Sequence, residues 1–537
     1  MKSPSPAGKA NGPWFAPAAF FIGLGGLAVS LLAFPVAARA GMPELDAADR
    51  GREIFQYGVD ADGTQIKCAT GPQDTEVPAA ILKCVSCHGH DGRGREEGGV
   101  VPSNIRWSEL TKPYAVPLAG GRKRPPYSER LLIRAMTSGL DAGGNPLNAT
   151  MPRYRLSHRQ AADLVAFIKE LDHENDPGVT DDSVTLGIVL PPESIHGGMH
   201  RAVRETVTAA LDVLNREGGI YGRKILCRFA PAPIENRVAA FTEFVAREKP
   251  FLLLESYIAG EEPAISRVIE RHRIPMIQPI TLSTGWQPRN ARYIFHLSSG
   301  VEGQCAALVR FVVARTDPAV RSILVVNDGP VEELLKELAH ALPAERAISL
   351  RAVSTAEIGD WPSYLRDKNP TAVLWLASGG ALEGFLAAAD RLKIFPLLLA
   401  PGALAGARIY EAPKGFTERI FLSFPILPGD QSAEGRAEFL RLAERFHFSE
   451  GDLATRMSAL GAVRVLAEAL KKVGRELTRE NFVATCEKFS ELGLGQMRPV
   501  NFGPDRRVGT TGAHVVAVDL GKRGLMLPSR WIECDVR

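Results

Sequence analysis

At 537 residues the chain is too long for one ordinary domain, and 45% hydrophobic with 23% charged residues marks it as globular rather than disordered. A net charge of +3 with a pI near 8.4 is too mild for a nucleic-acid partner, and no zinc-finger spacing occurs. Lys2 and Lys9 open the chain, an apolar stretch runs from about Trp14 to Val36, and Ala38-Arg39-Ala40 fits a small-x-small cleavage site. Residues 1–40 therefore read as a signal peptide removed after Ala40, with a periplasmic destination. The rival is an uncleaved membrane anchor, which Gly23, Gly25, Gly26 and Pro35 weaken.

The stretch Lys83-Cys84-Val85-Ser86-Cys87-His88 carries C-x-x-C-H, the attachment signature of haem c. Two thiols three positions apart on one helical turn reach the two vinyl groups of the macrocycle, and the adjacent histidine aims its imidazole at the iron. A zinc site would need a second ligand pair, which Cys68 alone does not supply. A redox dithiol would open a helix after a strand, and no such alternation surrounds the motif. Cys68, Cys227, Cys305, Cys486 and Cys534 remain. Export permits disulfides among them, but spacing assigns no pairs.

Methionine is a common sixth ligand opposite histidine. Met136 lies inside a helical pattern, where core packing explains it. Met151 lies in an irregular stretch before Pro152, which rigidifies it, and is the favoured ligand.

From about 45 to 175 the chain resembles the class I cytochrome c family, an all-α fold. An opening helix, Ala48-Asp49-Arg50-Gly51-Arg52-Glu53-Ile54-Phe55, precedes the motif; Met151-Pro152 and an amphipathic helix from Ser157 to Ile168 follow it. The resemblance implies one covalent haem c, with Cys84 and Cys87 as thioether anchors and His88 and Met151 as axial ligands. It also implies that Phe55, Leu164 and Phe167 pack the terminal helices together. The segment Gly58–Ala79, containing Cys68, departs from the family and is expected to be a surface insertion. Between Cys84 and Gln160 twelve Arg or Lys face six Asp or Glu, an excess that could form a basic rim for an acidic redox partner.

A polar stretch, 176–182, reads as a linker. Beyond it, over 183–537, apolar runs alternate with amphipathic helices. The runs are Ser183–Leu190, Lys224–Phe229, Pro250–Glu255, Ile274–Pro279, Ser322–Asn327, Thr371–Ala377 and Pro396–Ala400. This alternation predicts parallel sheets covered by helices, in two α/β lobes that face each other across a hinged cleft.

The turn Asn215-Arg216-Glu217-Gly218-Gly219-Ile220-Tyr221-Gly222 and the run Ile274-Pro275-Met276-Ile277-Gln278-Pro279 resemble type I periplasmic solute-binding proteins, closest to the branched-chain amino-acid receptors of ABC transporters. By that resemblance, ligand contacts fall near Ser194, on Glu255-Ser256-Tyr257, on Ile280-Thr281-Leu282-Ser283, on Trp375 and near Gly402. Ser256, Tyr257, Thr281 and Ser283 would hydrogen-bond a ligand, and Trp375 would stack on it. The family's second-lobe carboxylate, which pairs with an amino-acid ammonium, is missing from Leu399-Ala400-Pro401-Gly402-Ala403-Leu404. A neutral or acidic small molecule is therefore expected instead of an amino acid.

Three functions follow as expectations: a periplasmic electron carrier fused to a receptor-like domain, the receptor of an ABC importer docking on its permease, or a redox-linked ligand sensor. The redox partner would be a periplasmic dehydrogenase, such as a quinoprotein alcohol dehydrogenase, or a terminal acceptor. No enzymatic activity is expected, because Met151 on the iron closes its last coordination site and no G-x-S-x-G or H-E-x-x-H occurs.

Overall fold

The computed structural model describes residues 46–71, 73–89, 91–94, 102–117, 123–172, 176–284, 291–315, 319–343, 346–377, 380–475 and 477–534. The expected signal peptide lies outside them. No helix among the described residues is long and apolar enough to cross a membrane. The chain separates into two compact units, dividing between residues 174 and 175.

The first unit is built on two crossing helices, α1 (Ala47–Tyr57) and α5 (His158–Glu170). Asp46 caps α1, and a Ser157–Gln160 capping box starts α5. At the crossing, a Cβ on Gly51 would lie 1.9 Å from the Asp163 carbonyl oxygen, so only glycine lets the backbones meet. Arg50 clamps the same spot through two bonds to the Asp163 carboxylate, at 2.7 and 2.9 Å. The rings of Phe55 and Phe167 pack 5.1 Å apart, and Leu164 is fully buried beside them. Between these helices lie α2 (Cys84–His88), α3 (Trp107–Leu110) and α4 (Glu129–Ser138).

The Gly58–Ala79 segment is more than a surface insertion. It forms a hairpin, β1 (Lys67–Thr70) with β2 (Thr75–Pro78), and β1 pairs on its other edge with β5 (Arg153–Tyr154). Among the described residues, a short pairing of β3 (Val116–Pro117) with β4 (Lys123–Arg124) completes the strands of this unit. Cys68 and Ala69 are buried in its core. The period-two alternation is too short in four-residue strands to show in sequence.

In the second unit, residues 176–182 pack onto the α/β body and do not hang free. Val179 is buried, the Arg479 backbone N–H donates to the Asp176 carboxylate, and Arg223 donates to the Thr180 carbonyl at 2.8 Å. The first lobe holds a six-stranded sheet. Its strands are β6 (Ser183–Leu190), β7 (Lys224–Pro231), β8 (Leu252–Leu254), β9 (Met276–Ile277), β10 (Ile294–Ser298) and β16 (Val508–Thr510), in the order β16-β10-β9-β8-β6-β7. All of its pairings are parallel, and its strands are mostly buried apolar runs.

The second lobe holds seven strands in the order β12-β11-β13-β14-β15-β17-β18. They are β11 (Ser322–Asn327), β12 (Ser349–Ser354), β13 (Ala372–Trp375), β14 (Leu397–Pro401), β15 (Ile420–Phe424), β17 (Gly512–Asp519) and β18 (Gly524–Glu533). This sheet is mixed, which corrects the expectation of purely parallel sheets: β17 runs antiparallel to β15 and to β18. For β18 the reversal has a local cause. Strands β17 and β18 are joined by a tight turn with no crossover helix, and a turn that short can only reverse the chain. The chain passes between the lobes three times, at 298–301, 424–433 and 510–512.

Gly51→Ala tests the helix crossing. Helix propensity alone would favour alanine by about 1 kcal/mol. The backbone contact outweighs it, because neither main chain can yield as a side chain would. A net loss of about 1–3 kcal/mol is expected, read as a lower melting midpoint of the first unit. An unchanged or raised midpoint would refute the close crossing.

Candidate functional site

In the first unit, α2 is a single turn that carries Cys84, Cys87 and His88 together. Cys84 and His88 are buried and Cys87 is exposed. Burial pushes the Cys84 thiol up to about 11 and holds His88 below its ordinary value. The His88 Nδ1 lies 2.9 Å from the Ser103 carbonyl oxygen. A carbonyl only accepts, so Nδ1 carries the proton and Nε2 keeps its lone pair, the tautomer a metal-ligating histidine needs. The loop bearing Ser103 is tied back by Ile105 N–H to the Gly92 carbonyl at 2.7 Å and Gly94 N–H to the His88 carbonyl at 2.8 Å.

Met151 is half-buried against the apolar cluster that contains Cys84 and Leu132. Its turn is fixed locally. Met151 N–H donates to the Asn148 carbonyl at 2.9 Å, and the Asn148 side-chain oxygen accepts from Thr150 N–H and Oγ1, both at 3.0 Å. The hairpin and the segment just after it hold the other side. Arg155 N–H donates to the Lys67 carbonyl at 2.8 Å, Arg153 donates to the Gly71 carbonyl at 2.8 Å, and Tyr154 Oη donates to the Leu82 carbonyl at 2.6 Å. Met136 sits on α4 inside the core. Two thiols on one turn, an imidazole with its lone pair free of the backbone, and a thioether on a braced turn in an apolar setting fit haem c.

Several basic residues of the expected rim also serve the fold. Arg124 donates to the Glu109 and Leu110 carbonyls, Arg134 to that of Asp141, and Arg159 to the Asp60 carboxylate. No disulfide joins any of the seven cysteines, Cys68 included.

In the second unit a cavity of about 140 Å³ opens between the lobes. Thr281 lines it, but its hydroxyl already donates to Glu262 at 2.7 Å. The other expected contacts lie elsewhere. Ser194 is exposed on the first turn of α6 (Glu193–Arg216). Ser256 is fully buried, its hydroxyl accepting from Val189 N–H at 3.1 Å and donating to the Leu254 carbonyl at 3.3 Å. Tyr257 faces a separate pocket of about 20 Å³, room for about one water. The Ser283 hydroxyl donates to Glu302. Trp375 is 1% exposed, packed between Trp361 and Phe385, with its indole N–H on the Ala377 carbonyl. Of the stretch near Gly402, Ala403 reaches the cavity.

The cavity instead presents Glu255, Gln278, His296, Gln304 and Ser458. Glu255 and Gln278 follow adjacent strands β8 and β9, and both have left-handed backbones, φ 43° and 51°. Two strained non-glycine residues side by side at strand ends are typical of a site that aims side chains. Gln278 Oε1 accepts from Leu297 N–H at 2.7 Å, and Glu255 accepts from Ser458 Oγ at 2.8 Å. Burial lifts the Glu255 carboxyl to about 8, partly offset by Ser458, and lowers His296 to about 3. A sequence signal for two of them existed: Glu255 ends the apolar run Phe251-Leu252-Leu253-Leu254, and His296 interrupts Tyr293–Leu297.

The raised Glu255 value has a sign. An unfolded chain loses this proton near 4.5, whereas the folded protein holds it to about 8. The unfolded state therefore releases its proton first, and stability falls as pH rises between those values. Glu255→Gln should remove that fall, leaving stability unchanged near pH 4.5 and raising it at pH 8, by up to several kcal/mol on the order of the full shift. Urea denaturation of both proteins across pH 4.5–8 reads it, and parallel profiles would refute a buried neutral carboxyl.

Residues 183–524 match the family model described as Periplasmic binding protein, and residues 78–172 match that described as Cytochrome c. Among solved structures, a fatty acid ABC transporter substrate-binding protein from Thermomonospora curvata is similar at 15% identity and a TM-score of 0.52. It covers 67% of this chain and 95% of its own. A branched chain amino acid ABC transporter protein from Thermus thermophilus, with bound valine, is similar at 14% identity and a TM-score of 0.51, over 66% of this chain and 98% of its own. Identities this low show a shared fold. With most of its length matched by that family's model and a haem c type of domain ahead of it, the chain belongs to the periplasmic binding protein family and carries a cytochrome c domain fused to a type I binding domain.

Proposed function

We propose that this protein is an exported, periplasmic, single-haem c-type cytochrome that carries electrons and whose second domain captures a small molecule. The observation that carries the first half is the His88–Ser103 bond, which leaves Nε2 for iron. Cys84 and Cys87 would form the thioether links, and His88 and Met151 would hold the iron. Haem c bound there supplies one-electron redox chemistry. The protein's own residues hold the histidine's tautomer, brace the methionine turn and surround both with apolar side chains. Both domains are of classes that bind and carry, and no bond-making role is assigned to either. The electron partner is a periplasmic dehydrogenase or a terminal acceptor.

A second reading, the receptor of an ABC importer with an accessory cytochrome, is favoured by the two-lobed fold and its interlobe cavity. A redox-linked sensor combines the two. Binding to a membrane permease separates import from electron carriage, which predicts reduction by a dehydrogenase.

Denatured, acid-extracted protein should keep its colour, since thioether links survive unfolding; a colourless protein would sink the cytochrome half. Met151→Ala should abolish the methionine–iron absorption band and lower the midpoint potential, because methionine opposite histidine raises it. A variant with unchanged spectrum and potential would reassign the sixth ligand.

A further inference from the structure

The cleft's polar groups differ in whether they are already engaged. Ser256, Thr281 and Ser283, the hydroxyls expected to greet a ligand, donate instead to a backbone carbonyl, to Glu262 and to Glu302. Their protons are not available to a ligand carboxylate. Among the described residues, two lining side chains with a carboxyl or amide oxygen, Glu255 and Gln304, keep an acceptor open to the cavity. Gln304 is 6% exposed, and its side-chain oxygen is buried without a hydrogen-bond partner. Leaving such an acceptor unmet is costly, so a ligand donor that meets it gains affinity. Glu255, 1% exposed, is met among the described residues by the Ser458 hydroxyl. No Lys or Arg lines the cavity among the described residues.

An anionic ligand would therefore enter a site with a carboxyl of its own and, among the described residues, no cation to meet it. The rest of the wall is apolar, including Met199, Leu282, Phe424 and Ile426. A cavity of about 140 Å³ is close to the size that accepts a benzene-sized molecule.

We propose that the cleft binds a small monoamine, a short hydrocarbon body with one amino group and no carboxylate, whose N–H donors meet Glu255 and the Gln304 oxygen. This departs from the sequence expectation of a neutral or acidic ligand, and it rests on the reading of the cleft as a small-molecule site. The carboxyl that would pair with the amine lies in the first lobe, at the end of β8. Pairing needs Glu255 ionised, and a cation brought beside it favours that form.

Calorimetry on the purified full-length protein tests this with matched sets: butylamine, butanol and butyrate, then benzylamine, benzyl alcohol and benzoate, with valine alongside. Amines should bind, and the matched alcohols and acids should bind at least tenfold more weakly. Glu255→Gln, of the same shape, should weaken the amine about a hundredfold, and Gln304→Met should weaken it less. If alcohols, acids or valine bind at the cleft while amines do not, the amine assignment is overturned and the receptor reading stands. If amines bind equally to Glu255→Gln, the assignment of Glu255 is overturned. If no member of either set binds, the amine assignment falls, and the receptor reading loses its support.

Discussion

A buried polar group can satisfy its own fold or a visitor, and seldom both with the same proton or lone pair. That accounting organises both units. In the first, the Ser103 carbonyl takes one ring nitrogen of His88 and so frees the other. In the second, Glu262 and Glu302 take the hydroxyls of Thr281 and Ser283, while Glu255 and Gln304 are left facing the cavity. What each site can hold follows from which groups are already engaged, more than from which residue types are present.

The same accounting separates what was legible in the sequence from what was not. Cys84, Cys87 and His88 were readable because five consecutive residues contain the whole constellation, and one helical turn is a local matter. The strands Ser183–Leu190 and Ser322–Asn327 were readable because continuous apolar runs have few other uses. The resemblance to two families gave the order of domains, and the matched segments agree with it.

The cleft was far less legible. Whether a loop hydroxyl is available depends on an acid nineteen residues away, as for Thr281 with Glu262 and Ser283 with Glu302. Trp375 looked like a stacking platform, but Trp361 and Phe385 close over it, and no periodicity announces that. Ser256 and Tyr257 follow Glu255, where the backbone turns left-handed and sends successive side chains to different places. The hairpin at Lys67–Pro78 was obscure for a related reason: its strands are stabilised by β5, more than seventy residues later, and by Arg153 on Gly71.

Two of the three strands of chain that join the lobes also floor the cavity: Ser298, Ser299 and Gly300 in one, Phe424, Pro425 and Ile426 in another. The third is tied to the first, with Ser299 Oγ donating to the Gly512 carbonyl at 2.8 Å. A guest resting on those segments touches the very points about which the jaws would bend. Its grip and the opening angle then become a single free-energy balance, so occupancy can be read from outside without any relay through either lobe's core.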